Sequence, residues 1–171
     1  MLLSIVEPDA ATGRLKEIYD FFPPELGVPK ILQLYSASPE LLERQLGVIR
    51  YFREHPRLSP GFSAALRYAV AVKAGHAACE TFNHKLLLRM GLEEQEVRQL
   101  TQEAAQKALE PNEQVLLDFV LRAVDAPASV TGADIVAVKD HGYLESDILD
   151  AMVMAGNMIS SSVVWKTFGD R

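Results

Sequence analysis

Residues 58–92 read LSPGFSAALRYAVAVKAGHAACETFNHKLLLRMGL, and this stretch decides the fold. Ser59-Pro60 has the form of a helix cap followed by proline at the first helical position, where a missing N–H breaks no hydrogen bond. Phe62, Leu66, Ala69, Val70 and Lys73 then fall on one side, with Ala65, Tyr68 and Val72 beside them. A helix that is apolar over most of its surface has to be covered over most of it, so the pattern predicts a central, largely buried helix. Gly75 marks a break. A second helix is predicted from His76 or Ala77 through Phe82, Leu86, Leu87 and Met90, with Gly91 as its C-terminal cap. Two such helices joined by a tight turn form a central antiparallel pair.

On the N-terminal side, Thr12 to Phe22 places Leu15, Ile18, Tyr19 and Phe22 at helical steps, with Thr12 as N-cap. Pro23, Pro24, Gly27 and Pro29 stop that helix, and Ile31 to Tyr35 adds one or two turns. Ser38-Pro39 opens a longer helix carrying Leu41, Leu42, Leu46, Ile49 and Phe52, which ends near His55-Pro56. On the C-terminal side, helices are predicted over Glu93–Ala108, with Val97, Leu100 and Ala104 inward, over Asn112–Val124, and over Ala133–Lys139. The last, Glu145–Phe168, is apolar on two sides and so needs two surfaces to pack against. No run alternates long enough to form a sheet, so the class is all-α: a helical bundle, expected as one domain over residues 1–171.

Composition narrows the function. The 171 residues are 49% hydrophobic and 23% charged, with net charge -6 and pI near 5.2. That describes a folded chain rather than a disordered one. A mild acidic balance gives no electrostatic reason to expect nucleic acid or an anionic membrane as partner. Residues 1–10, MLLSIVEPDA, lack a basic, apolar leader pattern. The segment 151–165 is interrupted by Asn157 and Ser160–Ser162, and is expected to fall short of a membrane span. These features predict a cytoplasmic protein.

Cys79 is the only cysteine, so no disulfide can form within the chain and no site needing several thiolates can be built. On a helix, residues 76, 79, 80 and 83 share a face, which groups His76, Cys79 and Asn83, with Glu80 beside them and His84 about 100° further round. Cys79 in or after the first turn is placed where helix-terminal N–H groups favour a thiolate, and His76 is a natural base for it. Asn83 can hold a substrate oxygen or orient His76. Cys79 among alanines serves equally as a small apolar filler. A metal site of His76, Cys79 and His84 or Glu80 lacks a consensus ligand spacing, so none is assigned. Lys73 can face the thiol or extend to solvent. His55 and His141 read as solvated loop residues, and Trp165 and Tyr19 as packing groups. Glycine-rich phosphate loops, dinucleotide fingerprints, HExxH and nucleophile elbows are all missing, and no cofactor is implied.

EPDAATGRLKEIYDFF, GVPKILQLYSASPELLERQLGVIRYF, LSPGFSAALRYAVAVKAGHAACETFNH and KLLLRMGL together resemble the carboxymuconolactone decarboxylase and alkylhydroperoxidase D-like superfamily, in particular its uncharacterised peroxidase-related branch. That family carries an arginine–glutamate pair early in the central helix, then CxxC and a histidine four residues beyond the second cysteine. The resemblance matches the peroxide-reacting cysteine to Cys79, the resolving cysteine to His76, the relay glutamate to Ala64 and the motif histidine to Asn83, with His84 displaced by one. The dithiol cycle therefore cannot run within this chain. The resemblance implies a one-cysteine peroxidase that reduces a small hydroperoxide at Cys79 and is regenerated by an external thiol. Its alternatives are lactone or decarboxylation chemistry without a dithiol, or a noncatalytic ligand-binding scaffold. It also implies a homo-oligomer, for which the last helix supplies Ala151, Ala155, Gly156 and Ser160 as small contact residues.

Overall fold

The computed structural model describes residues 1–101 and 109–169. Among these, every regular element is helical: α1 (Gly13–Tyr19), α2 (Lys30–Tyr35), α3 (Pro39–Arg53), α4 (Pro60–Lys73), α5 (Ala77–Arg89), α6 (Glu94–Gln99), α7 (Pro111–Asp125), α8 (Gly132–Lys139) and α9 (Glu145–Phe168), with single 3₁₀ turns at Pro8–Ala10 and Pro127–Ser129. The all-α expectation holds. The helix expected over Glu93–Ala108 is present as α6, with Val97 and Leu100 buried. Ala104 lies outside the described residues.

α4 is the axis of the bundle. Ser59 Oγ accepts the Phe62 N–H at 2.9 Å, satisfying an otherwise orphaned first-turn donor. Ser38, placed alike before Pro39, makes no such side-chain bond. Phe62, Ala64, Ala65, Leu66 and Val70 are sealed from solvent, and α4 packs chiefly on α5 and α9, with α7 beyond. Small alanines on α4 let these neighbours approach closely, and its larger side chains fill the gaps between them.

The α4–α5 turn is built around Gly75, whose φ of +61° is open to glycine at little steric cost. Gly75 N–H donates to Val72 O at 3.0 Å and His76 N–H to Ala71 O at 2.8 Å, the paired bonds of a Schellman ending. His76 thus closes α4 and is also the N-cap residue of α5. From α9, Ser162 Oγ and Lys166 Nζ both donate to Ala74 O, at 3.1 and 2.5 Å, so the last carbonyls of α4 are not left bare.

α9 has the predicted limits. By length and composition it is apolar enough to cross a membrane, contrary to the sequence expectation, because the interrupting asparagine and serines lower its mean hydropathy only to 1.3. In this fold Ile148, Ala151, Met154, Ala155 and Met158 are buried against the bundle, while Leu149, Val153, Ile159 and Val163 face outward. The start of α9 is tied to the end of α3. Asp147 accepts from Arg57 Nε at 2.7 Å and from Leu144 N at 2.8 Å, and Asp150 accepts from Tyr51 Oη at 2.7 Å and meets His55 Nε2 at 3.1 Å. His55 is therefore not a solvated loop residue. Its Nδ1 accepts the Leu58 N–H at 2.9 Å, and its side chain is buried.

Candidate functional site

α2, α3, α4, α5 and α9 line a partly open cavity of about 480 Å³, with Phe22, Leu32, Ile49, Phe52, Leu86 and Met158 among its apolar walls. That volume lies within the roughly 300–1,000 Å³ of small-molecule sites. Polar side chains interrupt the lining: Ser63, Arg67, Cys79 and Asn83 on its α4–α5 side, Tyr35, Asn157 and Ser161 from α2 and α9, and Gln45 and Arg53 from α3.

Cys79 and His76 come together as the helical spacing predicts. Cys79 Sγ lies 3.1 Å from His76 Nε2. Cys79 is only 6% exposed, and that edge belongs to the cavity wall. His76 is completely buried behind it, its ring stacked on Trp165 at a centroid distance of 5.9 Å. Trp165 is thus a packing group, as expected, and what it packs is the imidazole. His76 Nδ1 is buried with no hydrogen-bond partner.

The electrostatics run against the expectation of an acidic thiol. Burial pushes the Cys79 thiol up to about 12, and the nearby Arg67 guanidinium offsets only part of this. Burial, helped by the Lys166 charge, also lowers the His76 pKa, so the imidazole is neutral at pH 7. The pair is a neutral thiol on a neutral imidazole rather than a thiolate–imidazolium ion pair. A position near a helix N-terminus favours negative charge by an amount smaller than the desolvation of a buried sulfur.

Asn83 joins the cluster in a different role from that expected. Its Nδ2 donates to Cys79 O at 2.8 Å and its Oδ1 accepts from Arg67 Nε at 3.1 Å, so its amide anchors Arg67 and does not touch His76. The 100° offset carries His84 to the other side of α5. There its Nε2 lies 3.1 Å from Glu94 Oε2, and it is not part of the cavity lining. Lys73 turns away from the thiol to pair with Asp125 at 2.5 Å. Among the described residues, no cluster of three or more His, Cys, Asp or Glu side chains could hold a metal ion.

The residue that sequence reasoning passed over is Arg67. It lines the cavity, and burial lowers its pKa to about 10, leaving it charged at neutral pH. A signal was available: Arg67 is the sole charged residue between Ser59 and Val72, inside an otherwise apolar helix.

Solved structures share this fold. An uncharacterised peroxidase-related protein from Silicibacter sp. TM1040 superposes with a TM-score of 0.79 at 18% identity, over 91% of this chain and 83% of that one. The alkylhydroperoxidase AhpD core of an uncharacterised peroxidase-related protein from Ralstonia eutropha JMP134 gives 0.80 at 18% identity, over 99% of this chain and 90% of that one. A protein of unknown function from Agrobacterium tumefaciens, provisionally assigned to AhpD-type antioxidant defence, gives 0.67 at 18% identity, over 81% and 94%. No protein-family model matches the sequence, and no curated protein matches it either. The chain has the alkylhydroperoxidase D-like fold. At 18% identity that likeness carries the architecture, not the chemistry.

Proposed function

We propose that the protein takes a small, largely apolar hydroperoxide into the cavity and reduces it at Cys79 in a one-cysteine cycle. The observation that carries this reading is a sulfur in the wall of an apolar cavity, 3.1 Å from a neutral imidazole nitrogen. A neutral His76 is free to accept a proton. As Cys79 Sγ attacks the terminal peroxide oxygen, the S–H proton passes to His76 Nε2 and the O–O bond breaks, giving a sulfenic acid and an alkoxide that is protonated to the alcohol. Two equivalents of an external thiol then return the sulfenic acid to the thiol, releasing water and a disulfide of the reductant. His76 is a base acting during the step, so no pre-formed thiolate is required. Asn83 positions Arg67, and His84 lies too far round α5 for a direct part. We assign the protein to the cytoplasm, where such reductants are abundant.

Near-stoichiometric cumene hydroperoxide at pH 7 followed by dimedone is expected to give a single adduct, located at Cys79 by mass spectrometry. His76→Ala is expected to slow adduct formation by about 10²–10⁴-fold. A folded wild-type protein that forms no adduct eliminates the peroxidase reading.

A second reading is favoured by the burial that holds the thiol neutral: a ligand-binding cavity without turnover. A decarboxylase-like reaction needs convergent cations. Arg67 has only Arg53 near it, and that guanidinium lies over the Phe21 ring at 4.8 Å on the exposed rim.

We further propose that the outward face of α9 is covered by a second copy. Leu149, Val153 and Val163 are exposed along it, with Gly156 and Ser160 between them leaving room for close helix approach. Light scattering at micromolar concentration is expected to give a multiple of 18.9 kDa. A monomer mass would remove the proposal.

A further inference from the structure

We propose that Arg67 is the anion-recognition residue of the cavity, and that the molecule bound there is an organic monocarboxylate with an apolar body. Arg14, Arg57, Arg89, Arg98 and Arg122 each pair with a carboxylate, and Arg44, Arg50 and Arg53, which do not, are exposed to water; Arg67 has no acidic partner among the described residues and is partly buried. Its Nε is taken by Asn83 Oδ1 at 3.1 Å. Among the described residues its Nη groups have no acceptor, and they are not among the sealed, unsatisfied atoms. They open on the cavity that Arg67 lines. A half-buried guanidinium with free N–H groups in an apolar chamber is unfavourable alone and becomes favourable once a planar anion meets it. One helical turn earlier, Ser63 stands in the same wall, and its buried Oγ also lacks a partner.

The chemistry of the chamber selects the class. One enclosed cation balances one negative charge, whereas a phosphate dianion would leave a charge unmatched among phenylalanines and leucines. The walls formed by Phe22, Leu32, Ile49, Phe52 and Leu86 take an alkyl or aryl body. Asn83 holds Arg67 Nε in place, so the guanidinium is oriented before the ligand arrives.

The inference shares with the function above the reading of this cavity as the ligand site, but needs no reaction at sulfur. It is tested by titration calorimetry on a Cys79→Ser protein, in the absence of oxidant, with octanoate and 3-phenylpropionate against octanamide and 3-phenylpropanamide. The acids are expected to saturate one site per chain, and the amides to bind about tenfold or more weakly. Arg67→Met is expected to lose about tenfold or more in affinity for the acids with little change for the amides, and Arg67→Lys to recover part of it. Equal binding of acid and amide, or full acid affinity in a folded Arg67→Met protein, overturns the proposal, as does no binding of either acid at millimolar concentration. A wild-type chain that forms the Cys79 adduct while the acids fail to bind leaves the peroxidase reading standing alone. Acid binding without adduct formation leaves only the carboxylate.

Discussion

Alkylation of Cys79 by iodoacetamide is expected to accelerate about tenfold per pH unit from pH 6.5 to 9.5, about a thousandfold in all, without levelling off. The thiolate is the reacting form, and burial pushes the Cys79 thiol up to about 12. Below that value the thiolate fraction grows in proportion to hydroxide. An ordinary exposed cysteine, with a pKa near 8.5, bends over within the same window. The groups facing the sulfur are His76, Arg67 and Tyr35. Burial lowers the His76 pKa and raises that of Tyr35, and both shifts favour the neutral forms in this window. Arg67, lowered to about 10, begins to lose its charge only at the upper edge. Narrow access to the cavity scales every rate equally and leaves the slope alone. A plateau below pH 8.5 in a folded protein shows that the thiol is acidic after all.

The double replacement Arg67→Met, Asn83→Leu is expected to stabilise the protein by about 2 kcal/mol, raising Tm by roughly 4–8 °C for a chain of this size. Burial disfavours the charge, so the Arg67 pKa falls on folding from its ordinary value to about 10. For a base, a lowered folded-state pKa means the unfolded chain holds the proton more tightly. At any pH below about 10 that charge opposes folding in full, and the penalty begins to shrink as pH passes the folded-state value and is gone only above the unfolded-state one. Methionine keeps the apolar stem and removes the charge. The single variant Arg67→Met is expected to be closer to neutral, since it leaves the buried Asn83 Oδ1 without its donor at a cost of about 1–3 kcal/mol. Leucine at 83 removes that orphan. Thermal melts by circular dichroism decide the matter, and a double variant melting below the wild type would show that Arg67 is structurally compensated. Stability gained where binding is lost is the usual signature of a residue retained for its ligand.

Features set by neighbours in sequence were legible. Ser59-Pro60 and Gly75 read correctly as the ends of α4 because a cap and a left-handed glycine act within a few residues. The limits of α9 and the approach of His76 to Cys79 follow from helical spacing in the same way. What escaped depends on distant chain. Arg67 sits on a helix that is apolar all round, so periodicity assigns it no direction. The cavity it faces is made when residues 21–53 fold over α4 and α5. His55 looked like a turn residue and is buried by Asp150, 95 positions away. The acidity of the thiol was misjudged because a helix terminus can be located in sequence and desolvation cannot.

The doubly bonded ending of α4 has a mechanical consequence. With the His76 N–H fixed to Ala71 O, Ala74 O clasped by two side chains of α9 and the buried imidazole stacked on Trp165, the turn that carries His76 is pinned by three helices. The floor of the chamber is stiff by construction. A guest bound over that floor meets a thiol–imidazole spacing that is already set.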